Sequence, residues 1–335
     1  MNNMQYNIQL EKLCAALDLG NIISEPKQIA GGLLHRMYKM QTTVGKYAVK
    51  ALNPQIMQRP SVKSDIINGE RIASYAAAYI PAVYAKHFGN SVITEIDRQN
   101  YLIYDWADGN SIFGKDITVE HCTKIGSLLG TLHNIDFTPL NIPLPEPFNE
   151  TCVNWNEYLR KGEQINLPWT DILARNLKEL YDWNRRYLTS MKYLENNFVI
   201  GHGDIDPKNI MWNDNKPTVI DWESSGYLNP AHELIIYALY WSDVDGQAVK
   251  EKFVAFFKGY LCNRQLDDID WNTVIDAGLS PHWLEYSLKR SLGMESADAE
   301  EQKMGTEQAL GTINYLKKYE KSIDLILSWL KNDVL

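Results

Sequence analysis

The spacing of apolar and polar positions changes character about a third of the way along this chain. Up to residue 105, short apolar runs alternate with turn formers: residues 29–40, 47–52, 91–96 and 101–105, broken by Gly45 and by Asp97-Arg98-Gln99-Asn100. Runs of that length bounded by Gly, Asn and Asp read as strands. One helical stretch interrupts them over residues 64–80, with Ser64 or Asp65 as its cap and Ile67, Ile72, Ala76 and Ile80 near one face. The pattern predicts a five-stranded antiparallel sheet with one helix, a small α+β lobe.

Past Gly109 the period becomes helical. Val119, Cys122, Ile125, Leu129 and Leu132 form a stripe that ends at His133, which is expected to cap or pack. Residues 169–196 read as one long helix feeding a strand at Phe198. Asn229-Pro230 starts another helix, with Asn as cap and Pro at its first position. Residues 248–261, 281–292 and 306–330 complete a mostly helical second part. Pro139, Pro143, Pro145 and Pro147 make an irregular connector, a surface loop and not a domain boundary. The expected division is a lobe over 1–106 and a larger one over 107–335.

The densest chemistry lies in Val199-Ile200-Gly201-His202-Gly203-Asp204-Ile205-Asp206-Pro207-Lys208-Asn209, followed by Ile220-Asp221-Trp222-Glu223. Residues 210–212 and 218–220 are apolar and flank the turn formers Asn213-Asp214-Asn215-Lys216-Pro217. Folding about Asn215 pairs Met211 with Val219 and Ile210 with Ile220. The same register sets Asn209 opposite Asp221, roughly 5 Å apart. A carbonyl oxygen and a carboxylate at one hairpin end suit magnesium, and Asp204 lies in the loop just before them. A hairpin capped by turn-forming Asp and Asn explains any one of these residues, but not the whole set at this spacing.

Upstream, Lys50 sits inside the apolar run 47–52, where a charge must be paired or face a cleft. Before it, Gly31 and Gly32 would let backbone amides approach phosphates, although a glycine pair by itself fits an ordinary turn equally well. Glu70, mid-helix, is the natural partner for Lys50. Asp105 and Trp106 lead out of the sheet, where the chain crosses between lobes.

This set resembles the catalytic loop and metal-binding aspartate of the aminoglycoside phosphotransferase and choline kinase superfamily, whose fold is similar to that of protein kinases. His202-Gly203-Asp204 stands where protein kinases carry His-Arg-Asp, and Asp221-Trp222-Glu223 where they carry Asp-Phe-Gly. No Ala-Pro-Glu follows, which disfavours a protein kinase. Many relatives have a second histidine where this chain has Asp206. The resemblance implies a two-lobed kinase-like fold and transfer of the γ-phosphoryl of ATP or GTP, with Mg2+, to a hydroxyl of a small molecule. It implies Asp204 as the base and Asn209 and Asp221 as magnesium ligands. Lys50, held by Glu70, would grip the phosphates. Gly31, Gly32, Asp105 and Trp106 would line the nucleotide site.

The remaining features bear on the acceptor. A net charge of −9 argues against nucleic acid as partner. Asp243, Asp245, Glu285, Glu295, Asp298, Glu300 and Glu301 gather after the catalytic region and favour a cationic acceptor, aminoglycoside-like first, with antibiotic resistance as the role. Asp206, Glu223, Trp241 and Glu285 are the candidate acceptor contacts, with Trp222 as a further stacking face. A metabolite kinase acting on choline, a sugar or an amino acid is the alternative. A nucleotide-binding pseudokinase is the alternative of another class. His232-Glu233 lacks a second histidine four residues on, so a zinc-protease reading fails and first-turn chemistry is expected there. No apolar run of about 18 residues appears, so no membrane span is expected. The start of the chain does not read as a signal peptide. Cys14, Cys122, Cys152 and Cys262 are scattered, as expected of reduced thiols in the cytoplasm. Oligomeric state is not legible.

Overall fold

The computed structural model describes residues 6–29, 35–295 and 298–335. Its first part holds α1 (Leu10–Ala16), β1 (Lys27–Ile29), β2 (Arg36–Gln41), β3 (Lys46–Ala51), α2 (Val62–Ala76), β4 (Thr94–Ile96) and β5 (Gln99–Asp105). The strands form one antiparallel sheet in the order β1-β2-β3-β5-β4. Side chains along a strand point to opposite faces in turn, and each face of this sheet has a helix to cover it. Tyr47, Val49 and Ala51 of β3 pack with Tyr101 and Ile103 against Leu10 and Leu13 of α1. On the other face, Leu102 and Tyr104 pack with Leu52 and with Ile66 of α2. Lys50 is set between Val49 and Ala51 in that alternation and therefore faces α2. The turn before β5 is tighter than the sequence suggests. Asp97 and Arg98 both take positive φ (47° and 68°), so two residues suffice and Gln99 already pairs with Ile96.

The second part runs α3 (Val119–Leu132), α4 (Trp155–Gln164), α5 (Thr170–Arg175), α6 (Leu177–Tyr193), β6 (Val199–Gly201), β7 (Ile210–Asn213), β8 (Lys216–Val219) and β9 (Gly226–Leu228). It continues with α7 (Pro230–Ser242), α8 (Lys250–Leu261), α9 (Trp271–Val274), α10 (His282–Ser291) and α11 (Ala299–Trp329). The helix expected over 169–196 is broken at Asn176, whose φ is −115° and whose side-chain amide donates to the Ile172 carbonyl at 2.6 Å. A short polar side chain that captures a backbone carbonyl competes with helix propagation there. Segment 81–83 joins the parts: Val219 donates to Pro81 and receives from Val83, both at 2.9 Å.

The closest helix crossing is α3 on α8. A Cβ at Gly126 would lie 2.0 Å from the Phe256 carbonyl oxygen, and one at Gly259 would lie 2.2 Å from that of Thr123. Those carbonyls belong to packed helices and cannot retreat cheaply. Gly126→Ala should therefore destabilise the fold by about 1–3 kcal/mol through overpacking. A thermal melt checks this, and an unchanged midpoint would mean that the helices separate freely. No helix among the described residues is long and apolar enough to cross a membrane.

Candidate active site

The loop after β6 is built around a buried histidine. His202 is fully enclosed: its Nδ1 accepts the Asp204 N–H at 3.2 Å, and its Nε2 lies 3.1 Å from the Ile220 carbonyl. Nδ1 is an acceptor, so Nε2 carries the proton and donates to Ile220. Burial holds the ring below its ordinary pKa, in agreement with that neutral form. The Trp222 ring meets it edge-on, centroids 4.7 Å apart. Gly203 turns the chain with φ 75°, and a Cβ there would lie 2.3 Å from the Ser224 carbonyl oxygen, so no larger residue fits. Asp206 caps the short turn Pro207–Asn209 by accepting the Lys208 N–H at 2.9 Å.

That turn brings Asn209 back onto Asp204. The Asn209 Nδ2 donates to the Asp204 carbonyl at 2.8 Å and to its Oδ2 at 2.9 Å, while Lys208 Nζ lies 3.1 Å from the same Oδ2. Burial raises the Asp204 carboxyl above its usual pKa, with Lys208 opposing.

The hairpin that carries Asn209 is shifted by one residue from the expected register. Ile210 pairs with Val219 and Met211 with Thr218, because Asp214 and Asn215 both take positive φ (46° and 61°) and close a two-residue turn. Asn209 is consequently level with Ile220, whose N–H donates to the Asn209 carbonyl at 2.9 Å. Asp221 follows one position later with φ 64°.

Lys50 is nine-tenths enclosed and reaches across from β3. Its Nζ lies 2.7 Å from Asp221 Oδ1 and 2.5 Å from Glu223 Oε2. Burial alone would raise Asp221, but the Lys50 ammonium outweighs it and holds the carboxyl below its usual pKa. The expected Lys50–Glu70 pair is not formed. Glu70 is buried in α2, where its carboxylate accepts the Tyr104 hydroxyl and the Ala85 N–H, each at 2.6 Å. With both oxygens satisfied locally, Glu70 leaves Lys50 to the two carboxylates beyond the hairpin. Glu223, expected at the acceptor, stands instead with Lys50. His35, also beside Glu223 at 3.7 Å, accepts the Asn53 N–H through Nδ1 at 3.0 Å, and burial lowers its pKa to about 4. Asp105 ends β5 and pairs with Lys86 at 2.8 Å, while the Trp106 N–H donates to the Lys46 carbonyl at 3.1 Å and its ring lies under Lys39 Nζ. Gly31 and Gly32 lie outside the described residues.

The donor set fits magnesium. Asn209 commits its Nδ2 to Asp204, and among the described residues no donor reaches its Oδ1. Asp221 commits Oδ1 to Lys50. Among the described residues no group of three or more His, Cys, Asp or Glu side chains could hold a metal by itself. Magnesium needs no such cage, since one or two protein oxygens plus phosphate oxygens and water are its usual shell.

Beneath the loop lies a network that the sequence reading missed. Glu233 of α7, fully buried, accepts the Gly203 N–H at 2.7 Å through Oε1 and meets His133 Nε2 at 2.7 Å through Oε2. His133 Nδ1 lies 2.9 Å from the Tyr260 hydroxyl. Glu233 is thus more than first-turn chemistry, and His133 is oriented on both nitrogens. Tyr237 donates to the Gly203 carbonyl at 2.6 Å, and Trp241 to that of Ile205 at 2.8 Å. The signal was available in the sequence: a glutamate inside an otherwise apolar helix must be buried with partners.

Trp241 and Trp222 are both fully buried and serve the loop from behind, so neither presents a face to an acceptor. A cleft of about 770 Å³ opens instead between α7, α10 and α11, lined among others by Tyr240, Trp283, Tyr286 and Tyr315. Glu285 faces away from it, bound by the Tyr158 hydroxyl at 2.7 Å and Lys289 at 2.9 Å.

Comparison with known proteins gives a consistent picture. The model of a family described as the phosphotransferase enzyme family (APH) matches residues 25–266. A crystal structure of spectinomycin phosphotransferase in complex with ADP and spectinomycin is similar at TM-score 0.68 and 12% identity, over 95% of this chain and 99% of that one. The amicoumacin kinase hAmiN, in complex with AMP-PNP and Ca2+, is similar at TM-score 0.60 and 16% identity, over 98% and 95%. Plasmodium vivax ethanolamine kinase is similar at TM-score 0.56 and 19% identity, over 88% and 83%. These likenesses establish the two-lobed kinase-like fold. No curated protein matches the sequence.

Proposed function

The chain belongs to the phosphotransferase enzyme family, and from that premise we propose that it moves the γ-phosphoryl of ATP or GTP to a hydroxyl of a small molecule. One observation carries the reading: an unbroken path of contacts runs from Lys50 to Asp221, through the Ile220–Asn209 backbone bond, to Asn209 and Asp204. Phosphoryl transfer needs charge neutralisation and in-line positioning more than covalent help, and those residue types supply both. Lys50 binds the phosphates, and Asp204 orients the acceptor hydroxyl and takes its proton. Asn209 and Asp221 hold magnesium, which when bound neutralises charge on the phosphate oxygens. Glu223 joins Asp221 in placing Lys50, and Glu70 shapes the pocket behind it through Tyr104. Asp105 and Trp106 stand at the crossover, where they would line the nucleotide site, and we set the lobe boundary after Trp106. The free thiols of Cys14, Cys122, Cys152 and Cys262 and the need for nucleotide support a cytoplasmic location. Relatives in fold include both antibiotic and metabolite kinases, so resistance and metabolism are the two roles this scaffold serves.

The test is nucleotide consumption by the purified protein, with ATP and GTP offered separately, with and without magnesium. Consumption that a hydroxyl compound stimulates and a chelator abolishes supports the reading. Binding without consumption across a broad acceptor panel would favour the pseudokinase alternative, and no nucleotide binding would refute phosphotransfer altogether. Lys50→Met removes charge-assisted hydrogen bonds worth roughly 1.5–3 kcal/mol and should weaken nucleotide binding by about tenfold or more. If the variant bound nucleotide as tightly as the parent, Lys50 would not belong to the site.

A further inference from the structure

The cleft between α7, α10 and α11 has an unusual lining for a site meant to receive a highly charged acceptor. Among the described residues that line it, none is Asp, Glu, Lys or Arg. Four large aromatic side chains in this concave space remain open to solvent: Tyr240 by 43%, Trp283 by 48%, Tyr286 by 38% and Tyr315 by 45%. Trp283 and Tyr286 lie with ring centroids 5.6 Å apart and planes tilted by 32°, two adjoining rings of one aromatic wall. The polar groups added to them include Ser280, Gln308 and Thr312 and the imidazoles of His232 and His282, and burial holds His232 below its ordinary pKa.

The cleft adjoins the catalytic loop. Tyr237, which holds the Gly203 carbonyl, meets the Tyr240 ring at 5.6 Å, and the charges of Asp206 and Asp204 reach the Tyr240 hydroxyl and add to the effect of its burial in raising its pKa. Of the acidic residues that suggested a cationic acceptor, three are committed elsewhere, and Asp243 accepts the Gly246 N–H while its charge reaches Tyr315. Glu285 is bound by Lys289, Glu301 by Arg290, and Asp298 caps α11. Glu150 reaches only the rim, at His282. Several ammonium groups buried against such a wall would lose more water than carboxylates outside the lining could replace, which is costly. A single cation could still rest on an aromatic face, and an apolar ring gains from burial against the wall.

Resting on the phosphotransfer reading above, we propose that the acceptor is a hydroxyl compound with an apolar or aromatic ring face and at most one positive charge, held against Tyr240, Trp283, Tyr286 and Tyr315. Polyamine sugars are excluded as its preferred substrates.

Equilibrium dialysis of the full chain against phenyl β-D-glucoside and chloramphenicol, both uncharged, and against kanamycin, a polyamine, tests this. The uncharged ring compounds should bind at least about tenfold more tightly than kanamycin. Trp283→Ala should cost them about fivefold or more, and Trp283→Phe, which keeps a ring face, clearly less. Circular dichroism reports whether each variant folds. Ser280→Asp, which places a carboxylate in the lining without touching the wall, should raise kanamycin binding. Tighter binding of kanamycin, binding of neither class, or indifference of the ring compounds to Trp283→Ala would overturn the proposal. Nucleotide binding on the same samples separates the two readings. Protein that binds ATP or GTP yet prefers kanamycin refutes the acceptor class alone. Protein that binds no nucleotide refutes phosphotransfer and leaves the preference of the cleft still measurable.

Discussion

Asp204→Asn should lower turnover by about 10³-fold, the middle of the range for removing a positioned general base, while leaving nucleotide affinity nearly unchanged. The two halves of this expectation rest on different contacts. Asn209 donates to Oδ2 of Asp204 and to its backbone carbonyl. An asparagine keeps an acceptor oxygen for the first bond and does not disturb the second, so the loop should hold its shape. Lys50, which binds nucleotide in our reading, is paired with Asp221 and Glu223 and makes no contact with Asp204. What the substitution removes is the basic oxygen and the charge that draws Lys208.

The parent's pH profile provides an independent check on the same residue. Burial raises the Asp204 carboxyl against the opposing charge of Lys208. A base must be unprotonated to act, so activity should be lost as pH falls through a value above the usual aspartate pKa of about 3.9. The limb should vanish from whatever rate Asp204→Asn retains. A variant that kept most of its rate would show that another group takes the proton.

How much of this was legible beforehand varied with how local the determining contacts were. The turn at residues 207–209 and its hairpin were legible because turn formers and short apolar runs are read within a dozen residues. Even so, the register slipped by one, since spacing does not reveal that Asp214 and Asn215 both adopt left-handed backbone. The lysine on β3 was legible from its apolar setting, but its partners were not. They lie 171 and 173 positions away, and only the folded chain shows that Tyr104 and Ala85 had already claimed Glu70. Tryptophans gave no usable signal, because a core indole such as Trp241 and a wall indole such as Trp283 are the same residue in sequence. The charge of the acceptor was not legible from the acidic residues for a related reason, because composition counts charges without showing which are already paired.

Glu233→Ala should cost about 3–5 kcal/mol of stability, because two buried groups lose one shared carboxylate partner at once. At about 2.1 cal/mol/K of unfolding entropy per residue, a chain of 335 residues shifts by roughly 1.4 °C per kcal/mol, so the melting midpoint should fall by about 4–7 °C. His133 and the Gly203 N–H would both lose their acceptor in a buried region, and each orphaned polar group adds its own desolvation cost. Glu233→Gln, which still offers an oxygen to Gly203, should lose less. The acid side of the stability profile gives the same answer by another route. Burial tends to raise the Glu233 carboxyl, but His133 and the Gly203 amide prevail and leave it below its ordinary value. A depressed folded pKa means that its stabilisation is complete above the unfolded value of about 4.3 and is lost as pH falls through the folded one. That dependence should flatten in Glu233→Ala. Gly203 directly precedes Asp204, so loosening its amide also moves the proposed base. Misplacement by about 1 Å can cost about 10²-fold in rate, and turnover measured well below the new melting point should fall accordingly. If turnover survived while stability fell, the network would serve the fold alone. If neither changed, the Glu233 carboxylate would not be holding the catalytic loop at all.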